Sequence, residues 1–392
     1  MDNLLDNIKS ILLMGPGPSS VDPRVYAALS RNVLGHLDPY FLTIADGLKE
    51  LLRRIMNTKN EFTIPISGTG SAGMEASFVN LVEPEDDVLV LTNGLFGVRM
   101  QEVARRLHAR VDALEFPWGQ PVITEEVEKA VRRKHYKIVA VIHAETSTGV
   151  RNPVKEIGSV VKGTDAIYLV DAVTSLGGMD VSMDAWHCDA LYSATQKCLS
   201  CPPGLAPLSF SEKAMAAVKA RKARVPNWYL DFTMIADYWG RNRVYHHTAP
   251  ISMIYALYQA LLLILDEGQE AVFSRHMRNH LAMVEGLEAL GLKMFVDKPF
   301  RLPMLGTVVV PEGVDEGAVR RRLRSEFDIE LGAGLGPLAG KAWRIGLMGH
   351  TSRQENVSRL LAALERVLQG TAREGVTLEI DPPHRPDQPA RP

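Results

Sequence analysis

The chain has 392 residues, enough for two or three domains at about 150 residues each. With 46% hydrophobic and 23% charged residues it reads as a soluble globular protein, and a net charge of −2 gives no general attraction for nucleic acid or anionic membrane. Its three cysteines, Cys188, Cys198 and Cys201, are too few for a disulfide framework, so a reduced, cytoplasmic setting is expected.

The amino terminus, MDNLLDNIKSILLMGPGP, starts acidic, and its apolar runs are too short for a signal-peptide core. Residues 1–14 read as an arm, of which roughly the first ten need another surface to order them. Residues 15–266 read as one large domain. Within it FTIPIS (62–67), DVLVLT (87–92), IVAVIH (138–143), AIYLVD (166–171) and ALYSAT (190–195) have the Val, Ile, Leu and Tyr content of buried strands. Between them SAGMEASFVNLV, GVRMQEVARRL and TEEVEKAVRRK read as helices. That alternation predicts βαβ units and a mostly parallel sheet. Residues 252–265 predict a long apolar helix, interrupted by Gln259 and too short to span a bilayer. Residues 267–370 read as a smaller α+β domain. It would hold the helical VFSRHMRNHLAMVEGLEAL, a strand pair or hairpin around GTVVVPEG, and a closing amphipathic helix in ENVSRLLAALERVLQ. Residues 371–392, ending DPPHRPDQPARP, are Pro-rich and polar and are expected to be a disordered tail.

In an open parallel sheet, ligands bind outside the carboxyl ends of the strands. Three of these strands end in polar groups. IVAVIH runs into Ala144-Glu145-Thr146-Ser147-Thr148-Gly149, AIYLV ends at Asp171, and ALYSAT is followed at once by Gln196-Lys197. An acid and a lysine at two such ends suit pyridoxal 5'-phosphate (PLP). Asp171 would keep the pyridine nitrogen protonated, and Lys197 would bind the cofactor and shuttle the α-proton. Either residue alone is far more often a loop cap or a solvated surface group. A third element adds weight: Ser67-Gly68-Thr69-Gly70-Ser71-Ala72-Gly73 follows strand FTIPIS and precedes a helix. Glycines let the backbone approach an anion, free amides at a helix start attract it, and the Thr69 and Ser71 hydroxyls can add hydrogen bonds to a phosphate. The turn lacks the Lys-Ser/Thr ending of a P-loop and the spacing of a dinucleotide fingerprint, and alone it says little.

From LLMGPGPSSVDPRV to about residue 370 these segments carry a resemblance. Through ISGTGSAGMEASFVNLVEP, HAETSTGV, LVDAVTSLGG, LYSATQKCLSCPPGL, YHHTAP and GKAWRIGLMG, the sequence resembles the class V, fold-type I PLP-dependent aminotransferases, most closely their alanine–glyoxylate and serine–glyoxylate (serine–pyruvate) branch. The resemblance implies a large domain on a mostly parallel seven-stranded sheet, with a smaller C-terminal α+β domain. It implies a homodimer with shared active sites that moves the amino group of alanine or serine to glyoxylate or pyruvate by a ping-pong mechanism. Residue by residue, Thr69, Gly70 and Ser71 would hold the cofactor phosphate, assisted by Gln196. Phe96 would stack on the pyridine ring, where many relatives have Trp, and Thr146 would contact the ring oxygen region. Asp171 would meet the ring nitrogen and Lys197 the aldehyde, while Tyr245 and Thr248 would reach the phosphate of the neighbouring subunit. Arg344 matches the arginine that grips the substrate α-carboxylate, a task suited to a planar guanidinium donating two parallel hydrogen bonds. Gly17, in the GPGPSS loop, and His36 would line the substrate pocket, His36 from the partner chain.

Aspartate, ureidoglycine and 2-aminoethylphosphonate relatives share much of this scaffold, and selectivity can turn on a few pocket residues. A class V lyase or desulfurase would need a mobile catalytic cysteine, and neither Cys198 nor Cys201 sits on the loop such enzymes use. A non-catalytic PLP-binding protein is disfavoured because Lys197 and Arg344 are both present. Cys198 and Cys201 lack the second pair of a zinc site and read as packing. His246 and His247 would point to opposite faces of a strand, so no metal is expected there. Residues 219–224, KARKAR, read as a solvated helix face rather than a nucleic-acid patch.

Overall fold

The structure, a computed structural model, describes residues 3–372, so the expected tail from residue 373 on lies outside the described residues. Seven strands form the central sheet: β1 (Phe62–Ser67), β2 (Asp87–Thr92), β3 (Arg110–Glu115), β4 (Ile138–Ile142), β5 (Ile167–Asp171), β6 (Ala190–Tyr192) and β7 (Leu205–Phe210). Their spatial order is β1-β7-β6-β5-β4-β2-β3, and β7 alone runs antiparallel to its neighbours. Every residue of β4, β5 and β6 is buried, because helices cover both faces of a parallel sheet. That is why these strands read as unbroken apolar runs.

Two strands escaped the sequence reading. β3 lies at the sheet edge and has exposed or half-buried side chains throughout, so RVDALE carries no apolar run. β7 contains Pro207, which argues against an interior strand. In the sheet Pro207 stands opposite Pro65 of β1, and its carbonyl accepts from the Ser193 amide at 2.7 Å. The helices ahead of the sheet start on local chemistry. In Asp22-Pro23 and Asp38-Pro39 the Asp side chain caps free amides and Pro fills the first helical position.

The apolar helix forms as Ile251–Glu267, and a break at Gly268 turns the next helix, Gln269–Ala289, by 84°. Among the described residues no single helix is long and apolar enough to cross a membrane. A second sheet follows, with β8 (Lys293–Met294), β9 (Leu305–Val309), β10 (Gly332–Ala333) and β11 (Ala342–Gly346) in the antiparallel order β8-β9-β11-β10. GTVVVPEG is therefore not a hairpin. Val308 and Val309 belong to the inner strand β9, and the turn after it leads into helix Glu316–Phe327 rather than back along a partner. The closing helix, Gln354–Ala372, continues two residues into the expected tail, since no proline stops it there. One hydrophobic core surrounds the central sheet and a second, with Met283, Trp343 and Leu364, surrounds the small one. Met14 joins the second core because Leu12–Leu13 pairs in parallel with Ile329–Glu330.

Two surface readings are corrected. Residues 219–224 are not a helix face, because helix Glu212–Lys219 ends where the run begins. Arg221 instead donates to the Asn80 and Val82 carbonyls at 3.1 and 2.6 Å, and Glu83 accepts the Lys222 and Ala223 amides. His246 and His247 do not point apart, because their segment is irregular rather than a strand. Their Nδ1 atoms meet at 2.8 Å, and His246 stacks on Trp228.

Candidate active site

β1 ends at Ser67, Gly68 takes φ +136, and helix Gly70–Leu81 starts at once. The Thr69 side chain makes no capping bond, and the Gly70 and Ser71 amides carry no hydrogen bond among the described residues. An uncapped helix start of this kind is ready for an anion. A Cβ at Gly70 would come within 2.9 Å of the Ala194 methyl, so the glycine lets this cup sit against the chain that leads to Lys197.

Asp171 closes β5, buried, with Val173 N donating to its Oδ1 at 2.8 Å. Burial raises its pKa to about 6, opposed by the nearby Tyr192 hydroxyl, the Val173 amide, and the charges of Lys197 and Arg99. The register places Tyr192 of β6 opposite Asp171, yet its buried hydroxyl approaches the carboxylate without reaching good hydrogen-bond geometry. A cation here would restore the charged carboxylate.

Lys197 follows β6 on a turn. Its Nζ donates to the Pro16 carbonyl, and burial, then the Arg344 charge, lowers its pKa to about 8. A Cβ at Gly17 (φ +104) would come within 2.7 Å of that nitrogen, so only glycine lets the 15–20 loop lie on the amine. Ser19 fastens the loop, donating from N to the Gln196 carbonyl (3.0 Å) and from Oγ to the Lys197 carbonyl (2.8 Å).

Gly70, Ser71, Phe96, Thr146, Asp171 and Gln196 line one cavity with Lys197. Thr69, at the N-cap position just before Gly70, does not itself line the cavity, and neither do Gly17 and Arg344. Arg344 comes from β11 of the other sheet, where Nε donates to the Ala333 carbonyl (2.7 Å) and Nη1 to the Thr146 carbonyl (3.1 Å). Nη2 has no partner among the described residues. Burial lowers the Arg344 pKa to about 10, with Glu145 opposing. Tyr245, Thr248 and His36 do not line this cavity. Tyr245 and Thr248 are exposed, and the His36 and Tyr245 rings meet at 5.1 Å.

The class-V aminotransferase family model matches residues 23–360. The chain is 41% identical to the (S)-ureidoglycine–glyoxylate transaminase of Bacillus subtilis, over 91% of this chain and 90% of that one. It is 38% identical to the alanine–glyoxylate aminotransferase of Rattus norvegicus, over 93% and 89%. The crystal structure of an alanine–glyoxylate aminotransferase from Nostoc sp. superposes with a TM-score of 0.91 at 47% identity, covering 92% of this chain and 96% of that one. The chain belongs to the class-V aminotransferases.

The family's cofactor is PLP, and this aminotransferase has the surroundings for it: free amides for a phosphate, a buried carboxylate that calls for a cation, and an enclosed amine. The Gln196 Oε1 atom, buried without a partner, is an acceptor still to be satisfied. The aminotransferase keeps all three cysteines buried and unpaired. Burial pushes the Cys198 thiol up to about 12 and raises Cys188 and Cys201 as well, so none is a ready thiolate.

Sequence reading passed over three residues of this site. Arg99 lines the cavity with its guanidinium 5.0 Å from the Phe96 ring centroid. The signal was there, since residues three apart on a helix share a face. Tyr192 faces Asp171 only through strand register, which no local pattern reveals. Glu145 was visible in HAETSTGV, but two of its four hydrogen-bond donors, the Phe96 and Gly97 amides, are distant in sequence.

Proposed function

We propose that this aminotransferase moves the amino group of a small amino acid, alanine or serine, to glyoxylate or pyruvate in two half-reactions at one site. The observation that carries this is the closeness of two opposite tools. Lys197 offers an amine of lowered pKa, and Arg344, near enough for its charge to help lower it, offers a free guanidinium edge. A substrate with its amine and carboxylate on one carbon would use both. The Bacillus subtilis and Rattus norvegicus relatives are both named for glyoxylate and differ in the donor, and the 41% identity to the ureidoglycine enzyme makes that donor the second reading.

Bound PLP supplies an electron sink for the substrate's α-carbon. In this reading Thr69, Gly70, Ser71 and Gln196 hold its phosphate and Asp171 keeps its ring nitrogen protonated. Phe96 covers the ring face and Thr146 contacts the ring oxygen region. Gly17 gives the substrate room, and the neutral Lys197 amine takes the α-proton and returns it. Arg344 fixes the carboxylate, so the α-carbon presents one face to that amine. A screen of alanine, serine, ureidoglycine, aspartate and 2-aminoethylphosphonate against glyoxylate, pyruvate, oxaloacetate and 2-oxoglutarate tests the assignment. Alanine or serine with glyoxylate should give the highest kcat/KM, and turnover confined to oxaloacetate or 2-oxoglutarate would replace it.

We further propose a homodimer in which Tyr245 and Thr248 reach the partner's cofactor phosphate and His36 lines the partner's pocket. The exposure of Tyr245 and Thr248 and the contact of the His36 and Tyr245 rings, away from their own cavity, support this. Tyr245→Ala should then weaken cofactor retention by roughly tenfold or more. Equilibrium dialysis checks it, and unchanged retention would remove Tyr245 from the neighbouring site. The two separate cores support a large unit at 15–266 and a small one at 267–370, and the exposed Leu4, Leu5 and Ile8 support an arm at 1–14 that covers another surface. Buried, unpaired thiols suit the cytoplasm.

Asp171→Asn yields a pH signature. The folded, cofactor-free protein binds the Asp171 proton more tightly than the unfolded chain, with a pKa of about 6 against 3.8. Its ionisation therefore costs stability progressively as pH rises through that window, and by a constant amount above it. Cofactor-free Asp171→Asn should gain thermal stability over the parent between about pH 4 and 6 while losing most turnover. A stability difference that does not change with pH would contradict the raised carboxyl.

A further inference from the structure

After β4 the chain folds back as a short antiparallel pair, Ala144–Glu145 against Val150–Arg151, with Thr146 in the turn between. The fully buried Glu145 lines no part of the cavity and faces the start of helix Leu95–Arg106, whose second residue is Phe96. That helix begins at Gly94, which has no side chain to cap it, so its first three amides are met from outside. Ser147 Oγ accepts from Leu95 N at 2.9 Å. One Glu145 oxygen accepts from Phe96 N at 3.2 Å and Gly97 N at 3.3 Å. The other Glu145 oxygen accepts from Ser147 Oγ at 2.6 Å and Ser147 N at 3.1 Å. A Cβ at Gly94 would collide with the Glu145 carboxyl carbon, so glycine there is what admits the acid to the helix end. The acid meets the positive end of the helix dipole, and its hydrogen bonds to Ser147 and Gly97 offset only part of the cost of burial, which raises its pKa to about 7. The same turn extends to the other sheet, since the Thr146 carbonyl holds Nη1 of Arg344.

We propose that Glu145 is a positioning residue: its carboxylate ties Phe96 and, through the 145–147 turn, Arg344 to one rigid point, so that cofactor ring and substrate carboxylate are held in fixed relation. This rests on the PLP-dependent reading of the cavity. Glu145 touches neither substrate nor cofactor and acts by keeping the first helical turn and the Thr146 carbonyl in place. A displacement of about 1 Å at such a point can lower turnover by roughly 10²-fold.

Glu145→Gln keeps the size but leaves one accepting oxygen where four donors converge. In the cofactor-free protein, amide hydrogen exchange across residues 95–97 should quicken by roughly tenfold, the loss of a helix cap. In the PLP-loaded protein, the circular dichroism of the cofactor's visible band should fall and KM for the amino donor should rise at least about fivefold. Combined with Phe96→Leu, the effects on that dichroism should be less than additive, since both substitutions act through one ring. Wild-type dichroism and KM in Glu145→Gln, whatever its melting temperature, would overturn the proposal, as would full additivity. If Glu145→Gln does not fold, Ser147→Ala must show the same changes at smaller size, and no change there overturns it equally. Parent protein that takes up no PLP would sink the cofactor reading first, and this proposal with it.

Discussion

Replacing Lys197 by alanine is expected to leave a folded protein whose turnover falls by at least about 10²–10⁴ and which lacks the visible absorbance of the lysine-bound cofactor. The side chain ends in a pocket where Gly17 has yielded all its space to it, and the two Ser19 bonds to the turn that carries it remain when the amine's bond to the Pro16 carbonyl is lost. The fold therefore has little to lose. The chemistry has much to lose, because among the described residues no other lysine lines the cavity. Burial and the Arg344 charge bring Lys197 to about 8, so a useful fraction is neutral under ordinary conditions. A small amine such as methylamine should restore part of the turnover by entering the vacated space. A Lys197→Ala protein with parental kcat would end the assignment, and one that is unfolded by circular dichroism would leave Lys197→Arg to decide it.

Arg344→Lys should raise KM for both the amino acid and the oxo acid by roughly 10–100-fold, the worth of one charged hydrogen bond of about 1.5–3 kcal/mol, with kcat changed less. Arg344 is already held at Nε by the Ala333 carbonyl and at Nη1 by the Thr146 carbonyl, which in the proposed reading leaves Nη2 for a substrate. A lysine has one nitrogen for all three tasks and cannot match a carboxylate with a fork of donors. The comparison that isolates this is an acceptor without a carboxylate. Acetaldehyde should react as poorly with the parent as with the variant, whereas glyoxylate should separate them. An equal loss for both acceptors would mean that Arg344 braces the fold and does not grip substrate.

The pieces of this site differ in how far they could be read from the chain. Asp171, Lys197 and the 67–73 cup were legible because each stands at the end of an apolar run, and in a parallel sheet those ends gather on one side. The Gly17 loop and Arg344 came from motif resemblance, and nothing in AWRIG says that its arginine crosses from a second sheet to the Thr146 carbonyl. Glu145 is the opposite case, an acid in plain view whose hydrogen-bond donors include the start of a helix two strands earlier in the chain order. The same divide runs through the fold. β4 and β5 declare themselves, whereas β7 hides behind Pro207 and is placed by its partners. Val308 and Val309 of GTVVVPEG form a strand as expected, yet they pair with β11 rather than with the residues just after them.

By itself, then, the sequence determined what depends on neighbours along the chain: the buried strands of the middle sheet, the Asp-Pro helix starts, the uncapped glycine turn, and the lysine and acid at strand ends. Tertiary structure alone decided strand register, the pairing of β9 with β11, the meeting of His246 with His247, and the outside cap that Glu145 gives to the Phe96 helix. The reason is physical. Periodicity and turn chemistry are set by local backbone and side-chain preferences. A hydrogen bond between distant segments forms only once packing of the two cores has met the entropy of bringing them together.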